Sequence, residues 1–304
     1  MSIIAIFLAL AVGIVVGTTA LNGPVLDGLK MSVSNLTGDK RSLEGSVSDL
    51  RARAAKDNEF AQLTAPELLR STLTGQRVLL VSTPDAPGSL RDDLAAALTT
   101  AGATITTDVR LRPDLVDPAT TATLERVVAK VAPTGLDLGS GTPADRAGVE
   151  IAAALTKSSP GLVPALATRV VSGFADADLL DIPARPVDTS ATLVLVVTGA
   201  APGKVDDASS ARSTAELAVV SAFASRVGVV LAGPDTSAED GALLSALRSG
   251  SLKGRVSSVD DADRPQGQVA SILALRDLLT GQMAGSYGTG RGATATSPVP
   301  RSAR

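Results

Sequence analysis

The chain opens with an apolar run that contains no charged residue from Ile3 to Leu21. A helix needs roughly 20 apolar residues to span a bilayer, so this run predicts a transmembrane anchor over residues 1–22. Gly23 and Pro24 are poor helix formers, and we expect them to end that helix. A cleaved signal peptide is the alternative, but no Lys or Arg precedes the run. The sparse flanking charges leave the membrane orientation open.

A second hydrophobic pattern follows, in which apolar residues recur at alternating steps of three and four. Such a repeat predicts a coiled-coil stalk over residues 25–60. Valine at a and leucine at d positions favour parallel dimers, and the charged a residue, Lys40, would help to fix the register. In a parallel dimer, Asp39 at a g position would face Glu44 at an e position, which is a like-charge pair. The candidate interaction residues are Leu29, Val33, Leu36, Lys40, Leu43, Val47 and Leu50.

The sequence leaves the partner of this stalk open. A second copy of the chain or another coiled-coil protein would cover the apolar stripe from outside. An amphipathic helix that lies on the protein's own globular domain is the alternative, because an apolar stripe also packs against a core.

The remainder of the chain alternates between short apolar runs and amphipathic segments. The runs at 78–81, 193–197 and 229–231 are continuous rather than alternating, which is typical of parallel strands covered on both faces. We therefore predict an α/β domain over 64–280, with a mostly parallel sheet flanked by helices. The stretch 281–304 is rich in Gly, Ser, Thr and Pro and is predicted to be a flexible tail.

Two similar turns follow buried strands of this domain. Pro84-Asp85 comes after the first strand and Pro234-Asp235 after a later one, each in a similar local sequence. Open α/β sheets bind ligands at the carboxyl edge of their strands. These four residues are therefore further candidates for interaction.

Composition excludes several classes of function. The chain has no cysteine and no histidine, which removes thiolate and imidazole chemistry from catalysis and from metal binding. A net charge of -3 with 2% aromatic residues argues against nucleic-acid binding. The segment 199–204 is one residue short of a phosphate-binding loop. The acidic clusters at 206–207 and 260–263 could hold a hard cation through oxygen ligands, but such clusters are usually solvated loops and helix N-termini. We expect no enzyme activity, no catalytic residue and no cofactor, and the metal ligands are unknown.

Six segments nevertheless occur in a familiar order. They are FLALAVGIVVG (7–17), TPDA (83–86), VTG (197–199), SSVDD (257–261), ILALRDLL (272–279) and YGTG (287–290). Together with the heptads, they resemble the actinobacterial MctB family, described as a copper-transport outer-membrane protein family. The resemblance implies a role in copper transport or homeostasis at the membrane or cell envelope, with the globular domain outside the cytoplasm. Similar proteins have also been connected with cell separation.

The residues limit how copper could be handled. Copper sites use thiolate, thioether or imidazole ligands, and this chain offers only Met1, Met31 and Met283. The short buried strands, separated by helices, also argue against a pore formed by this protein alone. Copper is therefore implied only by the resemblance. The expected function is that of a membrane-anchored envelope protein in copper transport. The alternative is a coiled-coil regulator of cell-wall hydrolysis and cell separation.

Overall fold

The computed structural model describes residues 3–157, 163–182 and 188–298; between 17 and 27 it describes the helical backbone but not the side chains. The chain divides into two compact units, residues 1–59 and 60–304. Helix α1, Ile3–Leu69, is continuous over 67 residues. It passes through Gly23 and Pro24, so the predicted break at these residues is wrong.

The predicted N-terminal transmembrane helix is also wrong. Among the described residues, no helix carries an apolar stretch long enough to cross a membrane. The exposed apolar run with described side chains covers residues 3–16. The side chains of 17–22, the rest of the predicted anchor, lie outside the described part.

A seven-stranded sheet forms the centre of the second unit, in the order β3-β2-β1-β4-β5-β6-β7. All neighbouring strands pair in parallel except β2 and β3, which are antiparallel. The strands are β1 Arg77–Ser82, β2 Thr104–Leu111, β3 Leu180–Asp181, β4 Leu193–Val197, β5 Gly228–Ala232, β6 Ser257–Val259 and β7 Ser286–Tyr287.

Helices cover both faces of this sheet. They are α2 Gly88–Thr100, α3 Pro113–Val116, α4 Thr121–Val131, α5 Pro143–Leu155, α6 Pro164–Asp176, α7 Asp207–Ala224, α8 Leu243–Ser249 and α9 Pro265–Leu279. Two short 3-10 turns lie at Pro118–Thr120 and Asp235–Ala238. The mixed α/β class with a mostly parallel sheet is as predicted.

The alternation of side chains along each strand produces two separate cores. In β1, Val78 and Leu80 contact the core formed with α2 and α9. Leu79 and Val81 point to the opposite face, where the core includes residues of α3 to α8. Successive strand residues face opposite sides of a sheet, so a strand buried on both sides must be apolar at every position. This explains the continuous apolar runs of the sequence.

Part of the predicted flexible tail, 281–304, belongs to the sheet. Ser286–Tyr287 forms β7 beside β6, and Tyr287 makes an isolated bridge to Ala295. The last six residues of that tail, 299–304, lie outside the described part of the chain.

Candidate functional site

The strand order creates a crevice between β1 and β4. Chain connections lead from β1 to β2 on one side and from β4 to β5 on the other, so the two strands mark the point at which the order of the sheet reverses. Ser82 and Val197, the last residues of these strands, are paired. The loops that follow them diverge at the carboxyl edge, which is where open α/β sheets bind ligands.

This switch-point crevice has a volume of about 40 Å³. It therefore has room for one water molecule or one small ion. Two close approaches shape its walls. A Cβ added at Gly199 would overlap the carbonyl group of Asp85, and one added at Gly241 would overlap the side chain of Val205. The crevice is lined by Thr83, Asp85, Thr198, Gly199, Ala200, Pro202, Ser209, Arg212, Ser213, Glu216, Gly241, Ala242 and Leu243.

Glu216 is the most perturbed group of the crevice. It lies on α7 and is only 5% exposed. Burial, together with the nearby charge of Asp85, raises the pKa of Glu216 to about 8, although Arg212 opposes the shift. The carboxyl group is therefore mainly protonated at neutral pH. Sequence reasoning missed this residue, although its spacing of three and four from Val219 and Val220 placed it on the apolar stripe of the helix.

The predicted candidate pairs lie at the same edge of the sheet but not in one site. Asp85 lines the switch-point crevice. Pro234 and Asp235 follow β5, on the other side of β4, and do not line it. Asp235 instead pairs with Arg264, with Nη2 and Oδ2 3.2 Å apart.

The acidic cluster at 206–207 has a structural role. The Asp206 carboxylate accepts a hydrogen bond from the backbone N–H of Ser209, and the Ser209 hydroxyl accepts one from the N–H of Asp206. This reciprocal cap begins α7. The backbone hydrogen bond from Ser209 helps to lower the pKa of Asp206. The cap thus satisfies the N–H groups of Asp206 and Ser209 at the start of α7.

The predicted coiled-coil residues form an exposed stripe on α1. We call Leu29, Val33, Leu36, Lys40, Leu43, Val47 and Leu50 the α1 seam. Its apolar side chains range from 43% exposed at Val47 to 75% exposed at Leu36. Lys40 interrupts the stripe, and its Nζ lies 3.6 Å from Glu44 Oε1 on the same helix.

The described residues contain no group of three or more acidic side chains that could hold a metal ion. The two described methionines, Met31 and Met283, are 66% and 85% exposed. They belong to different units of the chain.

Comparison with known proteins assigns the family. The sequence model of the family described as "Copper transport outer membrane protein, MctB" matches residues 1–298. The chain belongs to the MctB family. Proteins named "Copper transporter MctB" from Mycobacterium bovis and Mycobacterium tuberculosis are 30% identical over 304 residues, which cover 96% of this chain and 95% of theirs. One of the same name from Mycobacterium leprae is 30% identical over 310 residues.

Two of the segments through which the chain resembles the MctB family meet at a buried ion pair. Arg248 and Asp260 lie 2.5 Å apart, and their side chains are 4% and 0% exposed. Arg248 also donates to the hydroxyl of Ser258 and to the carbonyl oxygens of Tyr287 and Arg291, at 2.7 to 3.0 Å. All three donor nitrogens of the guanidinium group are therefore used.

Asp260 completes this network, which we call the Arg248–Asp260 clamp. Its Oδ1 accepts hydrogen bonds from the backbone N–H groups of Thr289 and Gly290, at 2.8 and 2.9 Å. Gly288 has a φ of +116°, and a Cβ at that position would overlap the Asp260 carboxylate. The clamp thus gives the SSVDD and YGTG segments of this chain a structural role, because it holds the loop after β7 in place.

Proposed function

We propose that this member of the MctB family acts in copper transport or homeostasis at the cell envelope, as a non-catalytic interaction protein. The observation that carries the proposal is the family match over residues 1–298. Relatives of nearly the same length, 30% identical, bear the name of a copper transporter. We propose that the globular unit lies outside the cytoplasm.

Copper is best treated as the cargo of a larger assembly. The chain has no cysteine, no histidine and three methionines. Without thiolate or imidazole, Cu(I) would find only scattered thioethers, and Cu(II) would depend on carboxylate and backbone oxygens. We propose that the protein binds copper weakly and influences its movement through a partner.

The fold also favours an adaptor over a pore. Both faces of the sheet are covered, and its apolar strand residues form the two cores. These residues are not available to face lipid. The α1 seam offers exposed apolar side chains of the kind that bind a partner helix.

Deletion of the gene in the native organism tests the proposal. We expect altered cellular copper content, restored by the wild-type chain but not by Leu36→Lys, which places a charge in the α1 seam. Ser48→Lys, on the same helix but outside the seam, is the matched control and should restore copper content. Unchanged copper content in the deletion strain would contradict the proposal.

Two measurements on the purified protein test the indirect route. Calorimetry with Cu(I) and with Cu(II) should give affinities weaker than micromolar, and planar bilayers should show no stable single-channel steps. Sub-micromolar affinity or stable channels would mean that the protein handles copper directly.

The exposed α1 seam favours a second candidate, a regulator of cell-wall hydrolysis and cell separation. The same deletion strain distinguishes the two functions. Chained, unseparated cells with normal copper content would support the regulator, whereas altered copper content with normal separation would support the copper role.

A further inference from the structure

We propose that the α1 seam binds a second copy of this chain in the antiparallel direction, with Val47 opposite Leu50 of the second copy. The inference names a partner for the surface on which the proposed adaptor role rests. It depends on the exposed seam and on the order of charges along α1.

The apolar layers of this arrangement extend beyond the seam. In an antiparallel pair, each a residue lies opposite a d residue of the other helix. With Val47 opposite Leu50, Leu36 meets Ala61 and Leu29 meets Leu68 of the second copy. Leu29 and Leu68 are each 58% exposed, although Leu68 lies near the end of the helix. Pairing thus explains an exposed leucine that the seven-residue seam leaves out.

Charge order distinguishes antiparallel from parallel pairing. In a parallel dimer, Lys40 meets Lys40 of the second copy, and Asp39 at g faces Glu44 at e. Both are like-charge contacts. In the antiparallel pair, Lys40 meets Asp57, and Glu44 lies within about 3 Å of the level of Arg51. Each of these opposite-charge contacts occurs twice because the dimer has a two-fold axis.

The same charges select one antiparallel register. A shift of one heptad in one direction places Lys40 opposite Leu50 and brings Glu44 against Glu44 of the second copy. A shift in the other direction places Lys40 opposite Thr64 and brings Arg51 against Arg51 of the second copy. Only the proposed register gives Lys40 an acidic partner across the seam. A polar residue at a core position is a known device for fixing register in coiled coils.

Charge reversal gives effects of opposite sign for the two orientations. In the full-length chain, Glu44→Arg should weaken dimerisation about tenfold, because it places two positive charges together at two symmetric contacts. Arg51→Glu should do the same, and the double variant should return to within about threefold of the wild type. In a parallel dimer, Glu44→Arg would instead relieve the repulsion from Asp39 and tighten the complex. Sedimentation equilibrium measures the constants, with Arg41→Glu, outside the seam, as the matched control.

Disulfide trapping gives a second, independent measurement. The chain has no native cysteine, so introduced cysteines report alone. A mixture of Leu36→Cys and Ala61→Cys chains should form a crosslinked heterodimer. Leu36→Cys alone should not crosslink, because the two sites would lie roughly 37 Å apart and a disulfide needs Cα atoms within about 7 Å.

Three results would overturn the inference: rapid crosslinking of Leu36→Cys with itself, tighter dimerisation of Glu44→Arg, or a monomeric wild-type chain. A monomer would mean that another protein covers the seam, and the adaptor role would survive. The proposed function has its own test: it would fail if the deletion strain showed unchanged copper content, whatever the oligomeric state of the chain.

Discussion

Glu150 provides the sharpest test of how burial controls the stability of this fold. It lies on α5, is fully buried, and neither carboxylate oxygen has a hydrogen-bond partner. Burial raises the pKa of Glu150 from 4.5 to about 8, although Arg146 opposes the shift. Between these values the folded protein binds one more proton than the unfolded chain. The contribution of Glu150 to the free energy of unfolding is therefore most favourable below pH 4.5, and it falls as the pH rises toward 8.

The magnitude follows from this shift. Between the two pKa values, each pH unit lowers the free energy of unfolding by about 1.4 kcal/mol. At pH 7.5, keeping Glu150 protonated and buried therefore costs about 4 kcal/mol relative to pH 4.5. Glu150→Gln keeps the shape and removes the titration. Neutral Glu and Gln are both buried without a partner, so the variant should match the wild type near pH 4.5 and exceed it by about 4 kcal/mol at pH 7.5.

Urea unfolding at several pH values measures this difference. The chain has one tyrosine, Tyr287, and no tryptophan, so tyrosine fluorescence reports on the second unit. Glu67→Gln is the matched control because Glu67 forms an exposed pair with Arg70, whose loss costs at most about 1 kcal/mol. If the stability curves of Glu150→Gln and the wild type are parallel from pH 4.5 to 8, Glu150 does not titrate as its burial requires, and the reasoning is wrong.

Three further predictions follow from the crevice and the clamp. Asp260→Ala should lower the free energy of unfolding by about 3–5 kcal/mol, because Arg248 is left buried without its counter-ion, and hydrogen exchange should show opening of the loop after β7. The free energy of unfolding of Glu216→Gln should exceed that of the wild type by more at pH 7.5 than at pH 4.5. The reason is that the folded wild type holds the proton of Glu216 up to about pH 8 and loses stability as the pH rises toward that value. Gly199→Ala should lower the thermal midpoint, because the added methyl group overlaps Asp85; an unchanged midpoint would mean that the two loops separate freely.

The central strands could be predicted because burial on both faces leaves a direct mark on the sequence. Val78 to Val81 and Leu193 to Val197 are apolar at every position, and both are strands. The pairs Leu180–Asp181 and Ser286–Tyr287 carry no such pattern. Each gains its strand geometry from a neighbour, β2 or β6, and partners distant in sequence cannot be identified from local periodicity.

Helix α1 shows the limit of local propensity. Gly23 and Pro24 predict a break, yet one helix spans both residues. A proline removes one backbone hydrogen bond and strains the preceding turn, at about 3 kcal/mol. Helical segments on either side can offset a cost of that size, so a single proline predicts a weak point better than an end.

The buried acids were missed because their environment depends on how closely two helices pack. Gly148 on α5 approaches α7 so closely that a Cβ there would lie 3.0 Å from the Cα of Val219. Small residues at such a contact draw the helices together, and longer side chains beside it are covered whether they are polar or not. Glu150 and Glu216 lie two and three positions from this contact along their own helices. The charge of glutamate suggests an exposed face, and only Glu216 carries a contrary signal in its spacing from Val219 and Val220. The close packing of the helices shows that both carboxyl groups are buried, which raises their pKa values to about 8.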